Sequence, residues 1–338
     1  MGDVPLVSVI VPTHNCGAYI GEAISSVLAQ TYAAYEFIVV DDGSTDNTRA
    51  VLTPYWGRIQ YLYQDSQGVA AARNAGIRHA QGELVAFLDA DDVWFPTKLE
   101  LQVQAFRGHT ESGAAFTDFL DFDESGVTRR SRLNTQRDAR AWFERHRVGD
   151  SEIACGSIYQ DLLLANWVHT SSVVVKREVL SVVGVFDETF TIGEDLDLWL
   201  RIARRYSVLC VNRVLSGYRY WSQSLSGPME YRAVRYNQGI QRVLEKHLAN
   251  NSMPPVLKDL VTRELGQRCW AIGWNLFGQD RFTEARSLFR QGMRYYPFHT
   301  RLWLYWMATW LPLAIIEAIR RMISWGRALQ CRTEAVPQ

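Results

Sequence analysis

Two acidic clusters hold the residues best suited to chemistry: Phe87-Leu88-Asp89-Ala90-Asp91-Asp92 and, far along the chain, Gly193-Glu194-Asp195-Leu196-Asp197-Leu198-Trp199. The first follows a short apolar run, so its carboxylates stand where a strand would end. Oxygen ligands at this density suit a hard divalent cation. The second opens a helical pattern and offers a carboxylate from a separate part of the chain. A cation that neutralises a departing phosphate, joined by a remote carboxylate that takes a proton, is equipment for moving a group from a phosphate-activated donor to a hydroxyl.

The elements that must position these residues are legible as two alternating periods. Residues 7–11 (VSVIV), 37–40 (FIVV), 59–63 and 84–88 read as strands, and residues 19–29, the stretch after Ser44 or Asp46, and 69–80 read as helices. Strands apolar on both faces and separated by helices predict a parallel sheet covered on both sides. Ligands in such sheets bind beyond the carboxyl ends of the strands. The polar residues fall at those ends: Thr13-His14-Asn15, Asp41-Asp42-Gly43-Ser44 and Asp89-Ala90-Asp91-Asp92. Further along, 173–175 and 207–211 read as strands and 176–183 as a short helix. Residues 123–150, rich in arginine (Arg129, Arg130, Arg132, Arg137, Arg140, Arg145, Arg147), read as a variable surface insertion with some helix.

The chain has 338 residues, a length that suggests about two domains. With 36 basic and 36 acidic residues its formal charge is zero, which argues against a dedicated nucleic-acid binder. Its cysteines (Cys16, Cys155, Cys210, Cys269, Cys331) are odd in number and lack zinc-site or redox-pair spacing, so a reducing, cytoplasmic setting is expected. The first apolar run stops at Pro12, too short for a signal peptide, and Met1-Gly2 lacks the Ser or Thr of a myristoylation site.

Five segments in order, residues 7–15 (VSVIVPTHN), 36–48 (EFIVVDDGSTDNT), 68–77 (GVAAARNAGI), 87–92 (FLDADD) and 193–201 (GEDLDLWLR), resemble the family 2 glycosyltransferases. The resemblance covers residues 6–226. It implies an α/β domain of the Rossmann-like GT-A fold with a mainly parallel sheet, over residues 1–228. It implies an inverting, metal-dependent transfer (Mn²⁺ or Mg²⁺) from a nucleotide-sugar donor, UDP- or dTDP-linked, to a glycan or lipid-linked acceptor. By the family's pattern Asp91 binds the metal, Asp89 lies near the donor ribose or sugar, and Asp42 accepts a hydrogen bond from the nucleobase. Pro12 and Thr13 line the base pocket, and Arg73 lies close to the nucleotide.

Asp195 matches the family's base. An acceptor hydroxyl has a very high pKa, so a carboxylate must take its proton as the new bond forms, on the face opposite the leaving group. Blander readings stand beside these. The Asp89–Asp92 run could be a solvated turn or a helix cap, Asp42 an Asx turn with Gly43, Arg73 a solvated helix residue, and Glu194, Asp195 and Asp197 a complement to a helix dipole.

One departure stands out. Where relatives place a histidine after Tyr-Arg, this chain reads Tyr218-Arg219-Tyr220-Trp221-Ser222, with Trp221 at the histidine's position. Arg219 is expected either on the diphosphate or in a structural ion pair. His169, just before Thr170-Ser171-Ser172 under the acceptor site, is left out of the metal site.

Residues 229–338 are read as a helical extension that the family core does not explain. Residues 270–297 resemble one tetratricopeptide-like helix pair, too little for a repeat array. The apolar stretch 302–316 falls short of the roughly twenty residues that span a bilayer, and Pro312 interrupts it. Trp303, Tyr305, Trp306, Trp310 and the following arginines fit either a membrane surface or a buried helical subdomain. Peripheral contact with the inner face of the cell membrane is the expectation, because many sugar acceptors are lipid-linked.

Two other classes compete with this reading. A sugar nucleotidyltransferase would start with a basic, glycine-rich loop, which Pro12-Thr13-His14-Asn15-Cys16-Gly17 is not. A degenerate donor-binding scaffold would not need the carboxylates at 42, 89, 91 and 195.

Overall fold

The computed structural model describes residues 4–123, 125–129, 131–221, 229–250, 253–312 and 314–317. Arg130, the run with Ser222, Ser224 and Ser226, and the C-terminal Arg320, Arg321, Trp325, Arg327 and Cys331 lie outside the described residues. Two compact units are present, Met1–Val243 and Leu244–Gln338.

The first unit begins with strict alternation: β1 (Val7–Thr13), α1 (Ile20–Leu28), β2 (Tyr35–Asp42), α2 (Thr48–Leu52), β3 (Gln60–Gln64), α3 (Val69–His79) and β4 (Leu84–Phe87). It continues through β5 (Val93–Trp94), α4 (Lys98–Gly108), β6 (Ser112–Asp123), β7 (Gly126–Arg129), α5 (Arg132–Thr135), α6 (Arg137–His146), β8 (Ile153–Gly156) and α7 (Tyr159–Leu164). A 3-10 turn at Thr170–Ser172 leads into β9 (Val174–Lys176), α8 (Arg177–Val183), α9 (Glu194–Ala203) and β10 (Ser207–Arg219). Then follow α10 (Met229–Leu248), α11 (Pro255–Gly278), α12 (Phe282–Tyr295) and α13 (Thr300–Ala308).

One sheet runs β3-β2-β1-β4-β9-β6-β10-β5, with β7 beside β6 and β8 beside β10. Strands β1 to β4 are mutually parallel, and β6 and β10 are parallel to each other. Strand β9 is antiparallel to both β4 and β6, so all six point the same way and their carboxyl ends share one edge. The antiparallel β9 therefore begins at that edge, and the Thr170–Ser172 turn before it lies there too.

Every residue of β1 is buried, as a central strand with helices on both faces requires. Each Val or Ile side chain so enclosed contributes about 1.5–3 kcal/mol. Helix α1 covers the sheet with Ile20, Ala23, Ile24 and Val27. Helix α3 is unusual in burying small residues, Ala70 to Ala72, Ala75 and Gly76. A Cβ at Gly76 would come within 2.4 Å of Ile10, so glycine lets α3 lie against β1. That close approach brings Arg73, one turn earlier, under the sheet edge.

Three expectations need correction. The strand expected at 207–211 continues to Arg219, past register shifts at Val211/Val214 and Val214/Ser216. The region read as a surface insertion is built into the domain: α6 buries Ala139, Trp142 and Phe143, and Trp142 packs on Phe116 and Trp167. The helix-cap reading of the Asp89–Asp92 run does not hold, because β5 stands between that run and α4.

In the second unit, α11 and α12 form a close antiparallel-type pair through glycine. A Cβ on Gly273 would sit 2.5 Å from the Phe289 ring, and one on Gly292 would sit 2.7 Å from Leu302 of α13. Among the described residues no helix is long and apolar enough to cross a membrane.

Candidate active site

The two acidic clusters meet. Arg73 of α3 donates from Nη2 to Asp89 Oδ1 at 2.7 Å and from Nη1 to Glu194 Oε1 at 2.8 Å. Its guanidinium also lies 5.2 Å from the Phe186 ring. Burial disfavours the charged form of Arg73, but Asp89 and Glu194 outweigh it and hold the group firmly cationic. Arg73 is thus neither a solvated helix residue nor, in this state, free to meet a donor: both ends of its fork are engaged by acids. The neighbouring Asn74 pins the segment before α9, donating to Phe186 O at 2.9 Å and Glu188 at 2.8 Å.

The turn before β9 makes a second link. Ser171 Oγ donates to Asp92 at 2.6 Å, while Thr170 Oγ1 and Asn166 Nδ2 reach Asp195 Oδ2 at 3.4 and 3.3 Å. Asp195 is held further by its own helix, since Leu196 N donates to Oδ1 at 2.6 Å. Helix α9 is fixed by burial of Leu196, Leu198, Trp199, Leu200 and Ile202. Its start is a left-handed Gly193, φ 87°, a conformation glycine adopts without a Cβ penalty. Asp197 is buried and pairs with Arg201 at 2.9 Å. Burial pushes the Glu194 carboxyl up, Arg73 pulls it back, and Asp195 pushes it up again, with a net rise.

The three aspartates after β4 divide their work. Asp89 faces Arg73. Asp92 is buried and purely structural, accepting from His169 Nε2 at 2.6 Å, Ser171 Oγ, and the Arg219 backbone N–H at 3.0 Å. Burial pulls the His169 imidazole down, and the Asp92 carboxylate more than offsets it, so His169 titrates above its ordinary value. Asp91 has no cationic partner among the described residues. Its Oδ2 accepts from the Trp221 indole N–H at 2.8 Å. Burial first, then Asp92 and Asp89, push Asp91 up to about 7.

That electrostatic setting fits a divalent cation. Asp91 is a carboxylate crowded by like charge, and its side chain has no ion-pair partner among the described residues, although Arg219 holds its backbone carbonyl. Among the described residues no cluster of three or more His, Cys, Asp or Glu could hold a metal unaided. A hard cation completed by substrate phosphates and water needs only one or two carboxylates. The nearby Cys16 thiol is pushed up to about 12 by burial and then by Asp91, which keeps it protonated and unreactive.

Arg219 is packed, not displayed. Its Nη2 pairs with Glu22 of α1 at 2.5 Å, its Nε donates to the Asp91 carbonyl at 2.8 Å, and its plane lies between Phe122 and Tyr19. Trp221 meets Tyr19 edge-on, with ring centroids 5.0 Å apart. The β10 end therefore buttresses the Asp91 backbone and side chain together.

At the carboxyl end of β1, Pro12 and Thr13 are buried, and Thr13 Oγ1 has no hydrogen-bond partner among the described residues. A buried hydroxyl without a partner carries the cost of its desolvation. Asp42 accepts from Gln67 N at 2.9 Å, Gly68 N at 2.8 Å and Gln64 Nε2 at 2.7 Å, with Ser66 Oγ at 3.4 Å. A nucleobase N–H would share an oxygen with one of these donors. The turn at Gly43 is closed by the preceding Asp41, which accepts from Ser44 N and from Tyr61 Oη, both at 2.8 Å.

Sequence reasoning placed the carboxylates but missed their supports. Asn166 gave no signal at all. Glu22 and Trp221 act through contacts that only the folded chain brings together. His169-Thr170-Ser171 was noted beneath the acceptor site, and its tie to Asp92 depends on β9 running against β4.

The fold and the paired acidic clusters define a glycosyltransferase of the GT-A class. The Glycosyl transferase family 2 model matches residues 8–163. The UDP-Glc:alpha-D-GlcNAc-diphosphoundecaprenol beta-1,3-glucosyltransferase WfgD of Escherichia coli is 32% identical over 225 residues, 65% of this chain and 79% of WfgD. The chain belongs to the family 2 glycosyltransferases. An uncharacterized glycosyltransferase of Rickettsia typhi is 32% identical over 213 residues, 62% of this chain, and the match spans 63% of that relative's length. Among solved structures, the mannosyltransferase PcManGT of Pyrobaculum calidifontis, in complex with GDP-Man and Mn²⁺, superposes with a TM-score of 0.58 at 20% identity, covering 91% of this chain and 86% of its own.

Proposed function

We propose that this chain is an inverting, metal-dependent glycosyltransferase. It moves a sugar from a nucleotide-diphosphate donor, UDP- or dTDP-linked, to a hydroxyl of a glycan or lipid-linked acceptor in cell-surface polysaccharide synthesis, at the cytoplasmic side of the membrane. The observation that carries this reading is the Arg73 bridge from Asp89 to Glu194, which sets the leaving-group carboxylates beside the helix that holds Asp195.

In this reading Asp91 holds Mn²⁺ or Mg²⁺, and the ion supplies charge neutralisation of the departing diphosphate. Pro12, Thr13 and Asp42 line the base pocket, with Thr13 Oγ1 gaining the partner it lacks. Asp89 receives the donor ribose or sugar while staying paired with Arg73. Arg219 acts through the Asp91 backbone, holding the metal ligand in place. Asp195 accepts the proton of the acceptor hydroxyl. Its approach from the side opposite the diphosphate inverts the anomeric centre. WfgD, which acts on a UDP-sugar and a diphosphoundecaprenol-linked acceptor by its name, supports both substrate classes.

The test is a panel of nucleotide sugars screened with Mn²⁺ for thermal stabilisation, since a ligand that binds only the folded state raises its apparent stability. The best donor is then given candidate lipid-linked acceptors, and the product's anomeric configuration is read by NMR. Inversion is expected. Retention, or donor binding with neither transfer nor donor hydrolysis, would replace this reading with a retaining enzyme or a scaffold.

A further inference from the structure

We propose that Gln102, with Trp94 beside it, is a positioning residue for sugar transfer: it grips, by its carbonyls, the turn whose side chains hold Asp195. The proposal rests on the reading of Asp195 as the base. The segment directly after the acidic run carries Trp94 on β5, then Lys98 and Gln102 one turn apart on α4. All three are buried, and a lysine and a glutamine are costly to enclose unless their polar ends are matched. Here they are matched, and carbonyls of the Thr170–Ser172 turn are among the partners. Gln102 Nε2 donates to Ser172 O at 3.0 Å and to Ala115 O of β6 at 2.9 Å. Trp94 Nε1 donates to Ser171 O at 2.6 Å. Lys98 Nζ, a donor in either protonation state, meets Gln102 Oε1 at 2.8 Å and so turns the amide's NH₂ toward the two carbonyls. The same amine lies 4.0 Å over the Trp94 ring.

Held by its carbonyls, the turn spends its hydroxyls on the acids. Ser171 Oγ donates to Asp92 and accepts from Asp89 N at 3.0 Å, and Thr170 Oγ1 reaches Asp195 Oδ2. The two acidic clusters do not depend on the turn equally. Asp92 also accepts from the Arg219 N–H, and Asp89 is paired with Arg73, so the first cluster has supports from β10 and α3. Asp195 has the Leu196 N–H of its own helix. Beyond α9, its hydrogen-bond donors among the described residues are Asn166 and Thr170, both on the segment 166–172 that ends in the gripped turn. A turn released at Ser172 therefore shifts the base, while the carboxylates after β4 keep their other ties. Misplacing a reacting group by about 1 Å can cost about 10²-fold in rate without altering the group itself. Gln102 is fully enclosed, so it acts through the turn and not on a substrate.

The test uses the full chain. Gln102→Glu has the same shape and leaves Lys98 an oxygen acceptor, but removes the NH₂ that holds both carbonyls. Trp94→Phe keeps a ring beneath Lys98 and removes the indole N–H. Each variant is measured by amide hydrogen exchange over residues 166–172, by Mn²⁺-dependent UDP affinity in calorimetry, and by steady-state transfer with the donor and acceptor that the nucleotide-sugar panel selects. Exchange over 166–172 is expected to quicken about fivefold or more. UDP affinity is expected to stay within about twofold, while kcat falls about 10–100-fold. Combined with Thr170→Val, which removes the hydroxyl at Asp195, Gln102→Glu is expected to cost little beyond the larger single loss, because both changes act on one carboxylate. A lowered melting temperature with kcat per folded protein at the wild-type value would overturn the inference, and so would losses that multiply in the Thr170→Val background. Should Gln102→Glu not fold, Trp94→Phe and its combination with Thr170→Val decide by the same outcomes. A wild type that neither binds UDP with Mn²⁺ nor transfers a sugar would overturn the glycosyltransferase reading and this inference with it, whereas fully active variants of a transferring wild type overturn this inference alone.

Discussion

Replacing Arg73 by Met is the sharpest structural perturbation the site offers. Methionine keeps the unbranched stem but not the head group, so the loss is the guanidinium's charge, its two hydrogen bonds and part of its volume. Arg73 and Glu194 are 4% and 10% exposed at the side chain, whereas Asp89 is 26% exposed and can be rescued in part by water. Breaking a buried pair by removing one partner costs about 3–5 kcal/mol, chiefly from the charge left behind. Most of that penalty falls on Glu194. Adding Glu194→Gln to the Met variant should therefore recover about 1–2 kcal/mol, because the stranded charge is gone. The pH dependence has a definite sign. Arg73 is what pulls the Glu194 carboxyl down against burial, so without it the already raised pKa rises further. A carboxyl raised in the folded state stabilises the fold below its ordinary pKa and loses that contribution as pH climbs through the raised value. The deficit of Arg73→Met is thus smallest in acid and grows toward neutral pH. Urea unfolding of the wild type, both single variants and the double variant at several pH values measures all three quantities. A deficit under about 1 kcal/mol, or one largest in acid, would refute the bridge as the joint between the clusters.

Trp221→Phe keeps the ring against Tyr19 and removes the donor to Asp91; calorimetry should show Mn²⁺ binding to the UDP complex weakened about tenfold, and unchanged or tighter binding would mean the indole only competes with the ion. In the metal-free protein Asp91 is raised from 3.8 to about 7, so stability should fall as pH rises across that window and Asp91→Asn should flatten the slope; an equally steep slope in the variant contradicts the assignment. Lys98 is fully buried, bonded to Gln102 at 2.8 Å and set 4.0 Å over Trp94, and burial drives its pKa far down. A base depressed this way holds its proton less tightly folded than unfolded, so it costs stability most at low pH. Lys98→Met should raise the melting temperature, more in mild acid than at pH 9, and a lowered melting temperature at both would show the amine has a required partner role.

The sequence alone disclosed the first half of the sheet because β1, β2 and β4 are continuous apolar runs whose polar residues begin where the strands stop. It did not disclose β6, which carries Thr117, Asp118 and Asp121 through the core. Ser131 and the Leu133 N–H come back to meet Asp118, Arg132 meets Asp121, and Thr117 donates to the Asp118 carbonyl. Likewise β10 contains Asn212 and Arg213 at its bulge, and a polar pair in mid-strand reads as the end of a strand. The site divides the same way. Asp89, Asp91 and Asp195 are fixed by local position, at a strand end and a helix start, and their neighbourhood could be anticipated. The Arg73 bridge, the Asp92–His169 pair and the Trp221 indole on Asp91 join residues distant in sequence, and no local pattern encodes them. The same is true of α13: its spacing is visible in the sequence, but its buried side is set by Leu302 against Gly292 of α12.

The central claim is that Asp195 takes the acceptor's proton. Asp195→Asn preserves the size of the side chain and its oxygen toward Leu196 N, and removes the base. With the donor and acceptor identified, steady-state transfer by this variant should fall by about 10²–10⁴-fold in kcat, while its Mn²⁺-dependent affinity for the donor stays at the wild-type value. Transfer at the wild-type rate with unchanged donor affinity would contradict the account.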